Sequence, residues 1–142
     1  MIMTTLKNNI AQYSWLNQEI DLNIYNALLN ILSYHIEEPV FVMEFNAEST
    51  YRYVFINEAA RNLTGIPIDY YGHTWFEYLP REKAELLQRY YEQVRLTYEP
   101  AVFMDTIDHN GLNTFGETTI HPLYDVKGEM VYLVGITNLS AH

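Results

Sequence analysis

The sequence predicts an α+β domain built on a five-stranded antiparallel sheet. Two strand-like runs precede a mid-chain block of helical segments, and three more strand-like runs follow that block. Short turns join the last three runs, as is typical of an antiparallel meander. A helix with one apolar face precedes the first strand. The chain therefore divides into an N-terminal helical segment, residues 1–36, and a sheet-containing domain, residues 37–142.

The N-terminal segment contains one amphipathic helix, residues 22–36. Residues 1–20 are polar with few apolar positions, so only a weak helical lead is expected there. From Asp21, a candidate N-cap, apolar residues recur at steps of three and four, and Pro39 ends the pattern. The recurring residues are Leu22, Tyr25, Leu28, Leu29, Leu32 and Ile36. This apolar face either caps the chain's own sheet or packs in a homodimer, and the sequence leaves both interpretations open.

The first two predicted strands form a hairpin. Residues 40–46 are apolar nearly throughout, and residues 51–57 are rich in aromatic and β-branched side chains. Only four residues separate them, which favours a direct hairpin connection. Residues 58–65 then read as a short helix that ends at Gly65, a typical C-cap residue.

Two more helical segments complete the block between the second and third strands. Residues 73–79 predict one or two helical turns. Pro80, which suits the first turn of a helix, begins the longest segment, residues 81–99, and Pro100 ends it. The buried stripe predicted for this helix consists of Leu86, Leu87, Tyr90, Tyr91 and Val94.

The last three predicted strands span residues 101–107, 115–124 and 130–136. The turns between them contain Asn-Gly and Lys-Gly, which favour the left-handed backbone of tight hairpins. Apolar residues occupy both faces of the strands, so both faces of the sheet require a cover. The inserted helices would cover one face and the N-terminal helix the other.

Composition limits the function classes. The 142 residues carry a formal net charge of −10, from 18 acidic and 8 basic residues, so nucleic-acid binding is not expected. There is no cysteine, which excludes disulfides and cysteine-linked chromophores. No signal peptide and no apolar run of about 20 residues are present. We therefore expect a cytoplasmic protein whose chain makes no membrane contact.

Several short stretches together resemble the PAS domain, the sensory box of bacterial signalling proteins, over about residues 37–140. Glu38-Pro39-Val40 opens the first strand, and residues 55–65 resemble the family's strand, Asn, short helix and Gly. The further stretches are the Gly-containing turn at residues 71–75, Leu79-Pro80 before the long helix, the Pro-x-x-Asp-x-x-Gly hairpin at residues 121–129, and the terminal strand at residues 134–140.

The resemblance implies a sensory module that binds a small ligand, mediates dimerisation, or does both, and regulates a C-terminal effector. A diguanylate cyclase or a histidine kinase is the expected effector, through cyclic-di-GMP or two-component signalling. Asn138, Leu139 and Ser140 stand where the family usually has Asp-Ile-Thr, and this position implies the signal exit. The chain stops where a linker would begin, so we expect the effector to be absent from it. A homodimer through residues 22–36 is the expected partner.

In PAS domains a ligand lies between the inner sheet face and the inserted helices, among mainly apolar side chains. The candidate ligand-binding residues are Phe55, Asn57, Trp75, Phe76, Tyr78, Leu86, Tyr90, Phe103, Thr118 and Leu133. The alternative interpretation is that all of them form plain core. The ligand itself is unknown from the sequence.

The residue types present limit which cofactors the chain could bind. In the PAS family, haem is typically held by a His on the long helix, so the resemblance implies no haem here, because residues 81–99 contain no His. A cysteinyl flavin is not expected because there is no Cys. A noncovalent flavin stays possible. Only Arg61 or a His could recognise a dicarboxylate, so a small apolar or neutral metabolite fits better. No metal is expected, since His109 and His121 lack tight ligand spacing with nearby carboxylates.

Two rival functions remain. One is a ligand-free homodimerisation module. The more distant one is a small α+β enzyme of the isomerase or hydratase type, in which Glu44, Asp105 or Glu117 would point inward as a general acid or base. The mid-chain position of the helices argues against the enzyme, and we expect no catalytic activity.

Overall fold

The computed structural model describes residues 22–35, 37–109 and 112–140. In chain order, the helices and strands are α1 (Leu22–Tyr34), β1 (Val40–Phe45), β2 (Tyr51–Ile56), α2 (Glu58–Thr64), α3 (Trp75–Tyr78), α4 (Arg81–Thr97), β3 (Ala101–His109), β4 (Leu112–Tyr124) and β5 (Met130–Ser140). The candidate N-cap Asp21, the lead at residues 1–20, Ile36 and the turn pair Asn110-Gly111 lie outside the described residues.

The five strands form one antiparallel sheet in the order β2-β1-β5-β4-β3. Helices α2, α3 and α4 lie between β2 and β3 in the sequence, and α1 precedes β1. The predicted fold class is therefore confirmed, including the N-terminal helix. The last strand occupies the centre of the sheet, where it pairs with both the first strand and β4.

Helix ends follow the local chemistry of the chain. At Gly65 the backbone is left-handed, with φ of 74°, and its N–H donates to the carbonyl of Arg61 at 2.8 Å, as the sequence predicts. Helix α4 ends earlier than predicted. Tyr98, not Pro100, is its left-handed C-cap, with φ of 63°, and its N–H donates to the carbonyl of Val94.

Strand β5 is longer than predicted. Asn138, Leu139 and Ser140, expected as an exit beyond the strand, pair with Glu117, Gly116 and Phe115 of β4. The polar residues at this end suggested that the strand stops at Ile136. Backbone pairing with the long strand β4 extends β5 past these residues, because ladder hydrogen bonds join backbone groups and do not require apolar side chains.

The sheet has a core on each face. On the inner face it packs against α2, α3 and α4, and on the outer face it packs against α1. Ile24, Leu28 and Leu32 of α1 are buried among outer-face residues that include Val42 and Val134. The N-terminal helix therefore caps the chain's own sheet, which is one of the two interpretations that the sequence left open.

His121 lies on the outer face, as the cross-strand neighbour of Val134. Burial lowers the pKa of its imidazole, and the nearby positive charge of His35 lowers that pKa further. His35 follows α1 and contacts the carboxylate of Glu38, with 2.6 Å between His35 Nδ1 and Glu38 Oε1. Both effects favour the neutral form of the His121 imidazole.

Acid should weaken the fold through His121. Because the pKa of His121 is lower in the folded protein, the unfolded chain binds this proton more readily, and the free energy of unfolding falls as pH drops through about 6.5. Urea denaturation from about pH 7.5 to about pH 5.5 should show this fall, and His121→Gln should reduce it. An equal fall in the wild type and the variant would contradict this assignment.

Candidate ligand-binding site

A cavity of about 260 Å³ lies between the inner face of the sheet and the inserted helices. Most of its wall is apolar or aromatic, as is usual for small-molecule sites. The sheet contributes Phe41, Met43, Tyr53, Phe103, Asp105, Thr118 and Thr137, and the inserted segment contributes Leu63, Thr64, Trp75, Leu79, Pro80, Lys83, Leu87 and Tyr91.

Stacked aromatic rings form one side of the cavity. Trp75, in the short helix α3, lies against Tyr51 with ring centroids 5.4 Å apart and planes 17° apart. On α4, the ring of Tyr91 lies 4.8 Å from the Trp75 ring. A capping box begins α3, in which the Thr74 N–H donates to the carboxylate of Glu77 at 2.7 Å. This local structure holds Trp75 in the wall.

Three residues of this wall carry buried hydrogen-bond donors, namely Tyr53, Tyr91 and Trp75. Burial raises the pKa of the hydroxyls of Tyr53 and Tyr91 well above the ordinary tyrosine value, so both stay protonated at every physiological pH. The indole nitrogen of Trp75 is fully buried, and no hydrogen-bond acceptor for it occurs among the described residues. Buried polar groups normally have partners, so this orphaned N–H needs an explanation.

Two threonines form the polar part of the sheet wall. Thr118 of β4 and Thr137 of β5 are cross-strand neighbours, and their hydroxyl oxygens lie 2.8 Å apart in a buried hydrogen bond. One hydroxyl donates to the other, so the accepting threonine keeps its own O–H for a further hydrogen bond. Thr118 and Thr137 thus place hydroxyl groups in the sheet wall of the cavity.

One ion pair connects the two sides of the cavity wall. Lys83 of α4 lies 3.0 Å from Asp105 of the edge strand β3, measured from Nζ to Oδ2, and both side chains are about one-quarter exposed. The two charges have opposite signs, so the pair adds no net charge to the wall. Asp105 is one of the carboxylates considered above for acid–base catalysis. In the structure, its carboxylate forms an ion pair with a lysine.

Three of the predicted site residues line the cavity, namely Trp75, Phe103 and Thr118. Four others lie in the same core but outside the cavity wall: Tyr78, Leu86, Tyr90 and Leu133. Tyr90 stacks directly on Phe103, with ring centroids 4.5 Å apart, and so supports the wall from behind. The inserted helices and inner sheet face therefore enclose a cavity where the sequence placed it.

Phe55, Asn57 and Phe76 are not brought to the cavity. Phe76 is 48% exposed on the surface of α3. Phe55 is buried in the outer core. The register between β1 and β2 shifts between Val42 and Met43, which leaves the Val54 position as an extra residue in β2. The alternation that puts Tyr53 on the inner face is thereby broken, and Phe55 turns to the outer one.

Asn57 is a structural residue. Its side-chain oxygen accepts from the N–H of Val40 at 3.0 Å and from the N–H of Ala60 at 2.9 Å. Its side-chain nitrogen donates to the carbonyl of Glu38 at 2.8 Å. Asn57 is thus the N-cap of α2 and also joins that helix to the start of β1.

The sequence prediction missed several residues of the cavity wall, although the apolar pattern of α4 contains two of them. Leu87 and Tyr91 belong to the apolar stripe predicted for this helix, but Leu86 and Tyr90 were chosen from it. The buried positions Ala84, Tyr91 and Val94 show that the stripe centres one residue later than assumed. No pattern in the sequence indicated that Lys83 reaches the edge strand.

Within residues 22–35, 37–109 and 112–140, no three His, Asp or Glu side chains come together as a metal site. Among the helices of the same ranges, none is long and apolar enough to cross a membrane.

A sequence-family model described as the PAS fold matches residues 35–139. The chain belongs to the PAS fold family. No curated protein sequence matches this PAS domain significantly.

Solved structures show the same fold at low sequence identity. The PAS domain of Bordetella pertussis BvgS is 17% identical, with a TM-score of 0.66, and the match covers 82% of this chain and 88% of that one. The Vibrio cholerae VqmA dimer, a LuxR-type receptor, is 18% identical with a TM-score of 0.66, covering 81% of this chain and 51% of that one. VqmA bound to DPO is also 18% identical, with a TM-score of 0.65 and coverages of 80% and 57%. This chain spans about half the length of the VqmA chains that it matches.

Proposed function

We propose that this PAS domain is a sensor that binds a small ligand in the cavity between its sheet and inserted helices. The observation that carries the proposal is the cavity itself, about 260 Å³ in volume, whose wall is mainly apolar and aromatic. Concave, mostly apolar spaces with a few polar groups are typical of small-molecule sites. The match to VqmA bound to DPO supports a small ligand as well.

The proposed output is regulation of a C-terminal effector, with a diguanylate cyclase or a histidine kinase as the candidates. Thr137 lines the cavity, and Asn138, Leu139 and Ser140 follow it along β5. A ligand that binds two states of the sheet unequally would shift β5 and whatever is attached to it. The domain itself would carry out no catalysis.

A homodimer in the cytoplasm is the proposed setting. The buried face of α1 is occupied by the chain's own sheet, so a second copy would use the exposed side of this helix, which includes Leu22 and Tyr34. The description of VqmA as a dimer supports an assembly of this kind. The cavity favours ligand sensing over the alternative of a ligand-free dimerisation module.

Filling the cavity tests the proposal. Ligand-observed NMR with phenol, indole, acetophenone and 2-pyridone should detect binding to the wild type. Leu87→Trp places a large ring at the cavity wall and should abolish that binding, because the space is no longer available. The matched control Leu96→Trp, at a position of the same helix that is 68% exposed, should retain it. Unchanged binding to Leu87→Trp, or no binding to any protein, would reject the cavity as a ligand site.

A further inference from the structure

We infer that the ligand is a neutral molecule with a carbonyl-type oxygen, which accepts hydrogen bonds from the hydroxyls of Tyr53 and Tyr91. The inference rests on the proposed function, since it names the class of ligand for the same cavity. Three features of the wall support it: two tyrosine hydroxyls that face the cavity without a partner, a threonine pair beside them, and a balance of charge.

The hydroxyls of Tyr53 and Tyr91 have no protein partner. Among the described residues, both side chains make ring contacts but no hydrogen bond. Tyr51 differs from them, because its hydroxyl donates to the carboxylate of Glu92 at 2.7 Å. Burial raises the pKa of the Tyr53 and Tyr91 hydroxyls, so each keeps its proton and can donate. Buried polar groups normally have partners, so an occupant of the cavity has two donors to satisfy.

Both hydroxyl oxygens are open to the cavity. The two tyrosines line it, although only 2% of Tyr53 and 3% of Tyr91 is exposed. Among the described side chains, the indole nitrogen of Trp75 is the only unpartnered polar atom that is sealed even from a water molecule. The unpartnered oxygens of Tyr53 and Tyr91 are therefore not sealed, and for residues buried this deeply the adjoining space is the cavity that they line.

The hydroxyls of the wall lie around the central strand β5. The oxygen of Tyr91 lies against Gly135, where an added Cβ would collide with it. Burial raises the pKa of Tyr91 and the nearby Tyr53 raises it further, which places the two hydroxyls in one region of the cavity. Thr137 follows Gly135 by two residues on the same sheet face, and its hydroxyl bonds to that of Thr118. One of these threonines keeps its O–H for a further hydrogen bond.

Donors of this kind select a ligand that accepts hydrogen bonds. A carbonyl oxygen has two lone pairs and no proton, so it can accept from one tyrosine or from both. An apolar occupant would leave both hydroxyls unsatisfied in a buried space, which is unfavourable. The carbonyl-type oxygen is therefore the group that distinguishes the ligand from an apolar molecule of equal size.

The wall offers no net charge to a ligand. Among the described residues, Lys83 and Asp105 are the charged residues that line it, and they form an ion pair with each other at 3.0 Å. A carboxylate ligand would have to compete with Asp105 for the ammonium group, inside a largely apolar space where an unpaired charge is strongly disfavoured. A neutral ligand leaves the pair intact.

A matched set of probes tests this class. Acetophenone and α-methylstyrene have the same shape, but the first carries a carbonyl where the second carries a methylene group, and benzoate adds a negative charge. Isothermal titration of the full chain should show acetophenone binding about tenfold more tightly than α-methylstyrene, as one good hydrogen bond allows. Benzoate should bind more weakly than either neutral probe.

Substitution by phenylalanine assigns the preference to the two hydroxyls. Tyr53→Phe and Tyr91→Phe each remove one donor and keep the ring, so the double variant should prefer acetophenone by about twofold or less. Tyr51→Phe is the matched control. Its hydroxyl bonds to Glu92 and Tyr51 is not among the residues that line the cavity, so the full preference should remain.

Urea denaturation of the ligand-free variants separates binding from folding. Removing an unpartnered hydroxyl breaks no hydrogen bond, so Tyr53→Phe and Tyr91→Phe should unfold at the urea concentration of the wild type or higher. Tyr51→Phe loses its bonds to Glu92 and Arg95 and should unfold at a lower concentration. An equal decrease for Tyr91→Phe and Tyr51→Phe would mean that the Tyr91 hydroxyl already has a partner, and would overturn the inference.

The outcomes separate the two proposals. Equal binding of the neutral probes to the wild type, or a preference that the double variant keeps, would overturn the inference while the cavity remained a ligand site. Benzoate binding as tightly as acetophenone would overturn the neutral class. Binding of no probe, or binding that survives Leu87→Trp, would overturn the inference together with the proposed function.

Discussion

Replacing Asn57 with alanine is expected to lower the free energy of unfolding by about 3 kcal/mol, the sum of a lost helix cap and unsatisfied buried backbone groups. Its side chain accepts from the N–H groups of Val40 and Ala60 and donates to the carbonyl of Glu38. The residue is only 9% exposed, so water cannot easily replace these bonds. Urea denaturation followed by circular dichroism measures the loss.

Asn46 provides the matched control for this substitution. Its side-chain oxygen also accepts from two backbone N–H groups, those of Glu48 and Thr50, at 3.0 Å each. This turn is exposed, so water satisfies the same groups when the side chain is removed, and Asn46→Ala should cost less than about 1 kcal/mol. Equal losses at Asn46 and Asn57 would show that burial does not set the cost, and our account of Asn57 would be wrong.

Replacing Gly135 with alanine should also destabilise the fold, by about 2 kcal/mol, the usual cost of forcing an extra group into a packed core. A Cβ at this position of β5 would collide with the hydroxyl oxygen of Tyr91. Tyr91 cannot simply turn away, because its ring is buried against Trp75 and Tyr51. Thermal or urea denaturation would measure the change.

A second substitution isolates this collision. Tyr91→Phe removes the hydroxyl oxygen, and the next nearest atom of the ring, Cζ, lies 3.6 Å from the added Cβ, an ordinary contact distance. The double variant Gly135→Ala/Tyr91→Phe should therefore be more stable than Gly135→Ala alone, with a coupling of about 1 kcal/mol or more. Additive effects of the two substitutions would mean that Gly135 is required for another reason.

Much of the fold could be predicted from local patterns. Apolar periodicity located α1 and α4, and turn residues separated the strands, because these signals reflect which side chains one element buries. The ends of elements were less predictable. Strand β5 continues to Ser140 because β4 extends alongside it, and a single strand's sequence does not contain that information.

The candidate site was predictable in position but not in detail. The PAS resemblance pointed to Trp75 in the inserted segment and to Phe103 and Thr118 on the sheet, and all three line the cavity. Phe55 was misplaced because one extra residue in β2 reverses which face it occupies. Asn57 was assigned to the ligand site because a polar residue after a strand can bind a ligand or cap a helix, and its sequence position does not distinguish the two roles. Lys83 was missed because its partner Asp105 is distant in sequence.

The central position of β5 has a consequence for how the chain folds during synthesis. The pair β1–β2 and the pair β3–β4 share no hydrogen bonds with each other, because β5 lies between them. Until residues 130–140 have left the ribosome, these two pairs of strands cannot be joined into one sheet. Closing the sheet then requires contacts between β1 and β5 across most of the domain, which slows folding. Strand β5 is the last of the five strands to be synthesised, and it is the strand that unites the sheet.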